Sequence, residues 1–281
     1  MNNCLFSHHG QHITSAHFLH TLRQIGADEC DVLYIHSGMQ FGSPNIGIGK
    51  SVILESVADL ILSLNVATLV MPTYSFSFCN GEPYDVENTP SSMGALNEYL
   101  RVKHQWERSV DPLMSNILHG KNDHLIKDIG KCSVGDGSTF DLLSKSGLNV
   151  KFLFLGPRVH DCFTYMHYLE AVRKVPYRYD FEFTGVIKDN DRRYEDTYKL
   201  FIRDVGVNAG HGAKIYENIM LERAVAKKQY LGAGAVTIVE LAAARDIYLE
   251  LLDMSPNFFI EEVFSTQNRP TAFKTRKMVA L

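Results

Sequence analysis

The first buried strand that this sequence predicts reads Asp31-Val32-Leu33-Tyr34-Ile35-His36-Ser37. A helical pattern follows over residues 50–63, where apolar side chains recur three and four residues apart. A second short apolar strand is expected over residues 66–72. Because strands without a polar face are covered on both sides, this strand, helix, strand order predicts a sheet between two helical layers.

Further helices and strands are predicted before and after residues 31–72. Residues 14–25 predict a helix capped by Thr14 or Ser15, and residues 150–155 predict another buried strand. Further helices are expected over 93–102, 142–145, 212–228 and 238–251, and aromatic alternation over 177–205 is typical of antiparallel strands. We therefore predict one α/β domain over residues 1–281, with a layered mixed β-sheet, helices on both faces and a C-terminal antiparallel extension.

Composition and charge restrict the kind of partner. The chain has 281 residues, of which 45% are hydrophobic and 21% charged, an ordinary globular composition. Its formal net charge is −4, and no cluster of Lys and Arg indicates a nucleic-acid footprint. No basic amphipathic stretch indicates a membrane surface. A small-molecule partner is therefore expected, with neither nucleic acid nor membrane.

The chain termini and cysteines bear on location. No run approaches the ~20 apolar residues of a membrane-spanning helix, and the N-terminus lacks the pattern of a secretion signal. Five scattered cysteines without CxxC spacing argue against structural zinc and a disulfide framework. These observations favour a reducing, cytoplasmic location.

A glycine-rich loop over residues 42–51 ends in Gly49-Lys50-Ser51, as a P-loop does. A P-loop requires glycine where this chain has Pro44, which lacks an amide donor, so a nucleoside-triphosphate site is disfavoured. The weaker hypothesis is that amides of this strand-to-helix turn, Gly42 among them, bind a phosphate or pyrophosphate. A plain flexible turn is the alternative.

Residues 155–179 hold the best candidates for catalysis. Thr164, His167 and Glu170 repeat every three residues, which on a helix stacks them on one face. Glu170 could fix the tautomer of His167, whose other nitrogen could take a proton, while Thr164 could donate to an oxyanion. A salt-bridged surface helix is the alternative, and the nearby Cys162 leaves a covalent Cys/His mechanism open.

Five stretches in order resemble the aminoglycoside 3-N-acetyltransferases, also called antibiotic N-acetyltransferases. They are the opening strand at 31–38, a Thr-Leu-Val-Met-Pro-Thr strand at 67–74, a Thr-Pro-Ser-x-Met-Gly-x-Leu helix start at 88–96, the signature Thr164-x-x-His167-x-x-Glu170, and 175–179. The resemblance implies an enzyme that uses acetyl-CoA as acyl donor and no metal. It implies His167 as base, Glu170 as the residue that orients it, and the amine of an amino sugar as acceptor.

The resemblance also implies a donor site and its partners. We expect the pantetheine and pyrophosphate near the loop after Ser37, with contacts from Ser37, Gly38, Gly42, Thr73 and Ser115. Coenzyme A and a small amino-sugar substrate are the expected partners, and a homodimer is a further expectation.

Two departures from the family pattern concern the acceptor. Asp111 stands where the family usually has His, and Gly38 replaces the second Ser of the opening motif. Asp111 could pair with an ammonium or a sugar hydroxyl. Tyr177 and Arg178, with Tyr179, Arg192 and Arg193, would suit a nucleotide-linked amino sugar, and solvated loop residues are the alternative. A Cys162-dependent acyltransferase, a phosphoryl-transfer module and a non-catalytic binding protein remain competing hypotheses.

Overall fold

A computed structural model describes residues 3–262. The strands are β1 (Cys4–His8), β2 (Gln11–Thr14), β3 (Val32–Ser37), β4 (Ser43–Pro44), β5 (Thr68–Pro72), β6 (Tyr84–Asp85), β7 (Glu107–Arg108), β8 (Asn116–Gly120), β9 (Val150–Leu155), β10 (Arg178–Asp189), β11 (Arg192–Arg203), β12 (Ala226–Leu231) and β13 (Gly234–Glu240). The helices are α1 (Ser15–Gln24), α2 (Lys50–Leu62), α3 (Ala95–Lys103), α4 (His124–Lys127), α5 (Thr139–Lys145), α6 (Val159–Cys162), α7 (Tyr165–Arg173), α8 (Gly212–Glu222) and α9 (Leu241–Met254).

The main sheet has the strand order β12-β13-β9-β3-β5-β8-β7. Its centre is parallel, since β3 pairs with β9 on one side and with β5 on the other in the same direction. The outer pairs are antiparallel. This mixed sheet brings the carboxyl ends of β9, β3 and β5 to one edge, where ligand sites in open α/β sheets usually lie.

Each face of the sheet packs against its own helical layer. Leu33 and Ile35 of β3 lie in one hydrophobic cluster with α1, α2 and α3, whereas Tyr34 lies in a second cluster with α5, α7, α8 and α9. Because strand side chains alternate between faces, a fully buried strand such as β3 feeds both clusters. The predicted α/β architecture with helices on both faces is confirmed.

The predicted antiparallel extension is a long hairpin. Strands β10 and β11 pair from Arg178 opposite Arg203 to Asp189 opposite Arg192, and β6 adds a short parallel strand. The sequence placed antiparallel strands over 177–205, in agreement with these bounds.

Two regions differ from the sequence-based expectation. Part of the helix expected over 212–228 and the first residues of that over 238–251 form the hairpin of β12 and β13 instead. The turn Leu231-Gly232-Ala233-Gly234 closes this hairpin, and its pairing with β9 satisfies backbone groups that a helix would have satisfied internally. Within the loop over 42–51, Ser43 and Pro44 pair with β1, so that part is a short strand.

Two further expectations concern a membrane-spanning helix and the extent of the domain. Between residues 3 and 262, no helix is long and apolar enough to cross a membrane. A single domain over residues 1–281 stays a prediction, because its two ends lie outside the described residues.

Candidate active site

The signature helix α7 follows β9 and α6, so it starts near the carboxyl edge of the sheet. Thr164 precedes its first turn, and the helix ends at Lys174, which takes a left-handed conformation with φ 49°. The amide of Val175 then donates to the carbonyl of Glu170 at 3.2 Å. This tight reversal returns the chain toward α7 and places the start of β10 beside the signature residues.

His167 and Glu170 form a hydrogen-bonded pair, as the sequence predicted from their spacing. Nδ1 of His167 lies 3.1 Å from Oε2 of Glu170. The carboxylate is buried with its side chain 5% exposed, whereas the imidazole is 38% exposed. Within residues 3–262, Nε2 of His167 has no hydrogen-bond partner. The inward nitrogen is therefore occupied and the other one is left for a ligand.

Two residues predicted to bind substrate lie against this carboxylate. The hydroxyl of Tyr177, a fully buried residue, donates to Oε1 of Glu170 at 2.7 Å. Nε of Arg178 lies 2.8 Å from Oε2 of Glu170, and Nη2 lies 2.9 Å from Nδ1 of His167. Both side chains thus support the His–Glu pair, and their direct contact with substrate stays a prediction.

These neighbours set the ionisation of the pair. Burial alone would raise the pKa of Glu170, but the charge of Arg178 and the hydrogen bond with His167 lower that pKa to about 2. Burial of the ring and the charge of Arg178 lower the pKa of His167 below its ordinary 6.5, against the opposing effect of Glu170. At neutral pH the imidazole is neutral beside an ionised carboxylate, which is the state a general base needs.

Thr164 ends a chain of buried hydroxyl groups. Its Oγ1 lies 3.3 Å from the hydroxyl of Tyr74, which lies 3.0 Å from the hydroxyl of Tyr34. Tyr34 donates to Oδ1 of Asn116 at 2.5 Å. The chain connects the signature helix to the central strands and fixes the position of the threonine hydroxyl. Its oxyanion role stays a prediction.

Thr73 and Ser115, both expected at the donor site, lie in the interior around Arg108. Nε of Arg108 donates to both hydroxyls, at 3.2 and 3.3 Å, and Nη2 donates to the carbonyl of Thr73 at 2.6 Å. The hydroxyl of Ser115 also donates to that carbonyl at 2.8 Å. A direct contact with coenzyme A stays a prediction, and these bonds would have to break to allow it.

Ser37 lies at the carboxyl edge of the sheet. Its hydroxyl donates to Oδ1 of Asn97 at 2.6 Å, and the amide of Asn97 donates to the carbonyl of Pro72 at 2.7 Å. Asn97 thereby ties the ends of β3 and β5 together. The preceding residue, His36, is 6% exposed and stacks on Phe154, and burial lowers its pKa to about 3.

The two glycines expected at the donor site differ in their surroundings. Gly38 is exposed and follows Ser37 directly. Gly42 has φ 133°, and a Cβ there would meet the carbonyl oxygen of Ser7 at 2.4 Å, so the approach of β1 requires glycine. The contact of either glycine with a phosphate stays a prediction.

Asp111 is buried and anchors a turn. Its Oδ1 accepts from the amides of Leu113 and Met114, at 2.9 and 3.1 Å, and from the hydroxyl of Ser133 at 2.8 Å. Burial raises the pKa of Asp111 although these bonds oppose the shift. A contact with the acceptor stays a prediction.

The structure separates the basic residues that the sequence grouped for nucleotide recognition. Arg178 begins β10, whereas Arg192 begins β11 at the opposite end of the hairpin, paired with Asp189. At ~3.3 Å per residue the two ends are roughly 35 Å apart. The expectation that Arg178, Arg192 and Arg193 share one ligand is therefore wrong.

The alternative nucleophile and the alternative phosphate site show no catalytic arrangement. The thiol of Cys162 contacts the carbonyl of Arg158 at 3.5 Å, and burial raises its pKa to about 12, so it is a protonated thiol. Lys50 is exposed at the start of α2. Across residues 3–262, no group of three or more His, Cys, Asp or Glu is arranged to hold a metal ion.

Sequence reasoning gave no role to two arginines of the site, Arg108 and Arg203. Arg108 lies three residues before Asp111, and Arg178 was assigned to the substrate. A periodicity argument finds residues on one helix and cannot show which later strand returns to them. Arg203, which pairs across from Arg178 in the hairpin, was also missed.

Comparison with known proteins gives the family of this chain. The sequence profile of the aminoglycoside 3-N-acetyltransferase family matches residues 35–253. A comparison with curated proteins finds none that matches. The profile match confirms the resemblance seen in the sequence motifs.

Solved structures share the fold at low sequence identity. The aminoglycoside acetyltransferase AAC(3)-IVa apoenzyme superposes with TM-score 0.70 at 18% identity, over 89% of this chain and 92% of that one. AAC-IIIb in a binary complex with CoASH gives 0.71 at 16% identity, over 85% and 96%. AAC-VIa bound to sisomicin gives 0.69 at 16% identity, over 85% and 97%. The fold is common to these enzymes, and the profile match shows that this chain belongs to the aminoglycoside 3-N-acetyltransferase family and is an N-acetyltransferase.

Proposed function

We propose that this N-acetyltransferase moves the acetyl group of acetyl-CoA to a primary amine of an amino sugar, with His167 as general base. One observation carries the proposal: Nδ1 of His167 is engaged inside the protein while Nε2, on a half-exposed ring, has no partner among the described residues. A neutral imidazole with its lone pair on Nε2 can accept a proton from an ammonium group. The CoASH complex of the structurally similar AAC-IIIb supports coenzyme A as the donor.

The reaction needs no covalent enzyme intermediate. Nε2 of His167 takes one proton from the ammonium, and the free amine attacks the thioester carbonyl to form the C–N bond. The C–S bond breaks, and coenzyme A leaves as thiolate. The nitrogen loses its second proton as the amide forms, so that one proton ends on the thiol and the other in solvent. Deprotonation, positioning and oxyanion stabilisation are the tasks left to the protein.

Thr164 and the donor-site residues complete the proposal. The Thr164 hydroxyl, held by Tyr74, would donate to the oxyanion, and Ser37, Gly38 and Gly42 would contact coenzyme A near the carboxyl edge of the sheet. Thr73 and Ser115 would act by holding Arg108 and the end of β5 in place. The homodimer and the cytoplasmic location stay predictions.

The charged residues of a cleft beside Arg178 bear on the class of acceptor. Arg178, whose Nη2 lies 2.9 Å from Nδ1 of His167, lines a neighbouring cleft of about 950 Å³. His167 is not among the residues that line this cleft, whose other charged residues are Asp136, Asp141, Asp180, Lys145, Lys174 and Lys199. With Arg178 included, four cationic side chains face three carboxylates, so the cleft lacks the excess negative charge that would favour a polycationic aminoglycoside. This supports a nucleotide-linked amino sugar as the proposed acceptor and makes an aminoglycoside the alternative, one that sisomicin binding by the structurally similar AAC-VIa supports.

A thiol-release screen tests this proposal. Purified enzyme is supplied with acetyl-CoA and either nucleotide-linked amino sugars or aminoglycosides, and free coenzyme A is followed with a thiol reagent. We expect turnover with the first class to exceed turnover with the second at least tenfold. Faster turnover with aminoglycosides would overturn the acceptor assignment, and no thiol release with any amine would overturn the reaction.

The Cys162→Ser variant distinguishes direct transfer from a covalent mechanism. Because Cys162 is a protonated thiol whose Sγ contacts the carbonyl of Arg158, we expect the variant to keep more than half of the wild-type turnover. Intact-mass measurement after mixing with acetyl-CoA alone should show no added acetyl group on this residue. An acetylated wild-type protein and an inactive variant would support the covalent route instead.

The Ser115→Ala variant tests how Ser115 acts. Loss of its hydroxyl removes bonds to Arg108 and to the carbonyl of Thr73, so we expect the free energy of unfolding to fall by about 1–2 kcal/mol. The KM for acetyl-CoA should change less than about threefold. A KM increase above tenfold with unchanged stability would show that the hydroxyl contacts the donor directly.

A further inference from the structure

Nδ1 of His167 lies between two groups with opposite requirements. The Nη2 group of Arg178, 2.9 Å away, can only donate a hydrogen bond, because a guanidinium has no acceptor. The Oε2 atom of Glu170, 3.1 Å away, can only accept one when the carboxylate is ionised. A neutral imidazole nitrogen carries either a proton or a lone pair, so Nδ1 can satisfy one of these neighbours at a time.

The choice at Nδ1 decides the chemistry at Nε2. If Nδ1 donates to Glu170, Nε2 has the lone pair and can act as a base. If Nδ1 accepts from Arg178, Nε2 carries the proton and can only donate. The tautomer of His167 is therefore the difference between a competent and an incompetent base.

Arg178 is fixed in the position that creates this choice. Its side chain is 9% exposed, its Nη1 donates to the carbonyl of Phe201 at 3.2 Å, and its Nε lies 2.8 Å from Oε2 of Glu170. Oε1 of Glu170 is in turn held by Tyr177. Because Glu170 already has a cationic partner in Arg178, it does not depend on a proton from Nδ1 for its charge balance.

We propose that Arg178 is a positioning residue that keeps His167 of the free enzyme in the Nε2–H tautomer, so that the base forms when an ammonium group arrives. An ammonium group has only donors and requires a lone pair on Nε2. Its approach therefore selects the Nδ1–H tautomer, with the proton directed to Glu170. This inference rests on His167 as the proposed base and adds that the acceptor itself selects the active form.

The charged and titratable groups around His167 support the same arrangement. Glu170 lies on α7 and Arg178 on β10, and Arg203, opposite Arg178 on β11, also acts on the ring through its charge. Tyr177 and Tyr248 are buried phenols near Glu170. Two guanidinium groups thus oppose protonation of the ring and one carboxylate favours it. Removal of Arg178 shifts this balance toward a protonated ring and leaves Glu170 as the partner of Nδ1.

Nitrogen NMR of histidine-labelled protein tests the proposal without an assay of activity. Ring 15N shifts distinguish a protonated from an unprotonated nitrogen, and the His167 signals are identified by their loss in His167→Gln. We expect Nε2 of His167 to carry the proton in most of the free wild-type protein. In Arg178→Met, whose side chain has no hydrogen-bond donor, we expect Nδ1 to carry the proton and the pKa of His167 to rise.

Controls make every outcome of this experiment decisive. The Arg173→Gln variant removes an exposed arginine that pairs with Asp253, and it should leave the His167 signals unchanged. The proposal is overturned if the His167 ring of the free wild-type protein is in the Nδ1–H tautomer. The wild-type spectrum alone decides this point. The proposal is also overturned if a folded Arg178→Met keeps the Nε2–H tautomer. The proposed function of His167 as base is tested separately, and full turnover in a variant that lacks His167 would contradict it.

Discussion

Replacement of His167 by alanine is expected to lower kcat by about 10³-fold, within the range in which positioned acid–base groups contribute. The reason is geometric: within residues 3–262, Nε2 of His167 is left without a partner while Nδ1 is held by Glu170 and Arg178. The half-exposed ring makes few packing contacts that alanine would remove. The protein should therefore stay folded and inactive.

Binding of the donor separates this effect from damage to the site. Calorimetric titration with coenzyme A should give a Kd within about threefold of wild type for His167→Ala. The exposed His124→Ala variant, with a histidine at the start of α4, should keep wild-type turnover. Loss of coenzyme A binding together with activity would show that His167 supports the fold of the site and not the chemistry.

Replacement of Glu170 by alanine is expected to lower the free energy of unfolding at pH 7 by about 3–5 kcal/mol. The substitution leaves the guanidinium of Arg178, with a side chain 9% exposed, without its carboxylate partner. It also removes the acceptor of the Tyr177 hydroxyl. Urea unfolding measures the change, and turnover should fall as well because Nδ1 of His167 loses its acceptor.

The same variant gives a pH dependence with a defined sign. The pKa of Glu170 in the folded protein is about 2, below its ordinary 4.5, so its contribution to stability is complete above pH 4.5. This contribution to the free energy of unfolding is about 3 kcal/mol in full, and it is lost as the pH falls from 4.5 toward 2. Wild type should therefore lose more stability between pH 6 and pH 3 than Glu170→Ala does, by about 2 kcal/mol.

An exposed carboxylate provides the matched control. Glu250 pairs with Arg223 at the surface, and Glu250→Ala should change the free energy of unfolding far less than Glu170→Ala does. An equal loss of stability at low pH in wild type and in Glu170→Ala would contradict the assigned role of Arg178 as the partner of Glu170.

Local patterns in the sequence predicted the central strands and the helix that carries the signature. The apolar runs of β3, β5 and β9 and the three-residue spacing of Thr164, His167 and Glu170 each depend on neighbours within one element. Such patterns are visible without tertiary structure. The β12–β13 hairpin was missed although Gly232 and Gly234 lie at its turn, because the helices expected over 212–228 and 238–251 were extended into its two strands.

The supporting residues of the site depend on how distant segments meet. Glu170 is held by Arg178 because the chain reverses at Lys174 and β10 runs back past α7. Thr73 and Ser115 are 42 residues apart, and only the pairing of β5 with β8 brings both to Arg108. No spacing rule within one element contains this information. The sequence therefore predicted the helix that carries His167 and Glu170 and assigned the buried neighbours of this pair to the ligands.

The most direct measurement is rescue of a His167→Gly variant by added imidazole, followed as coenzyme A release at saturating acetyl-CoA. A ring that acts only as a proton acceptor can be replaced by a free one in the space that glycine leaves. We predict almost no turnover without imidazole and a rate that increases with imidazole concentration, faster above the pKa of imidazole than below it. If the variant turns over at more than a tenth of the wild-type rate without imidazole, His167 is not the base.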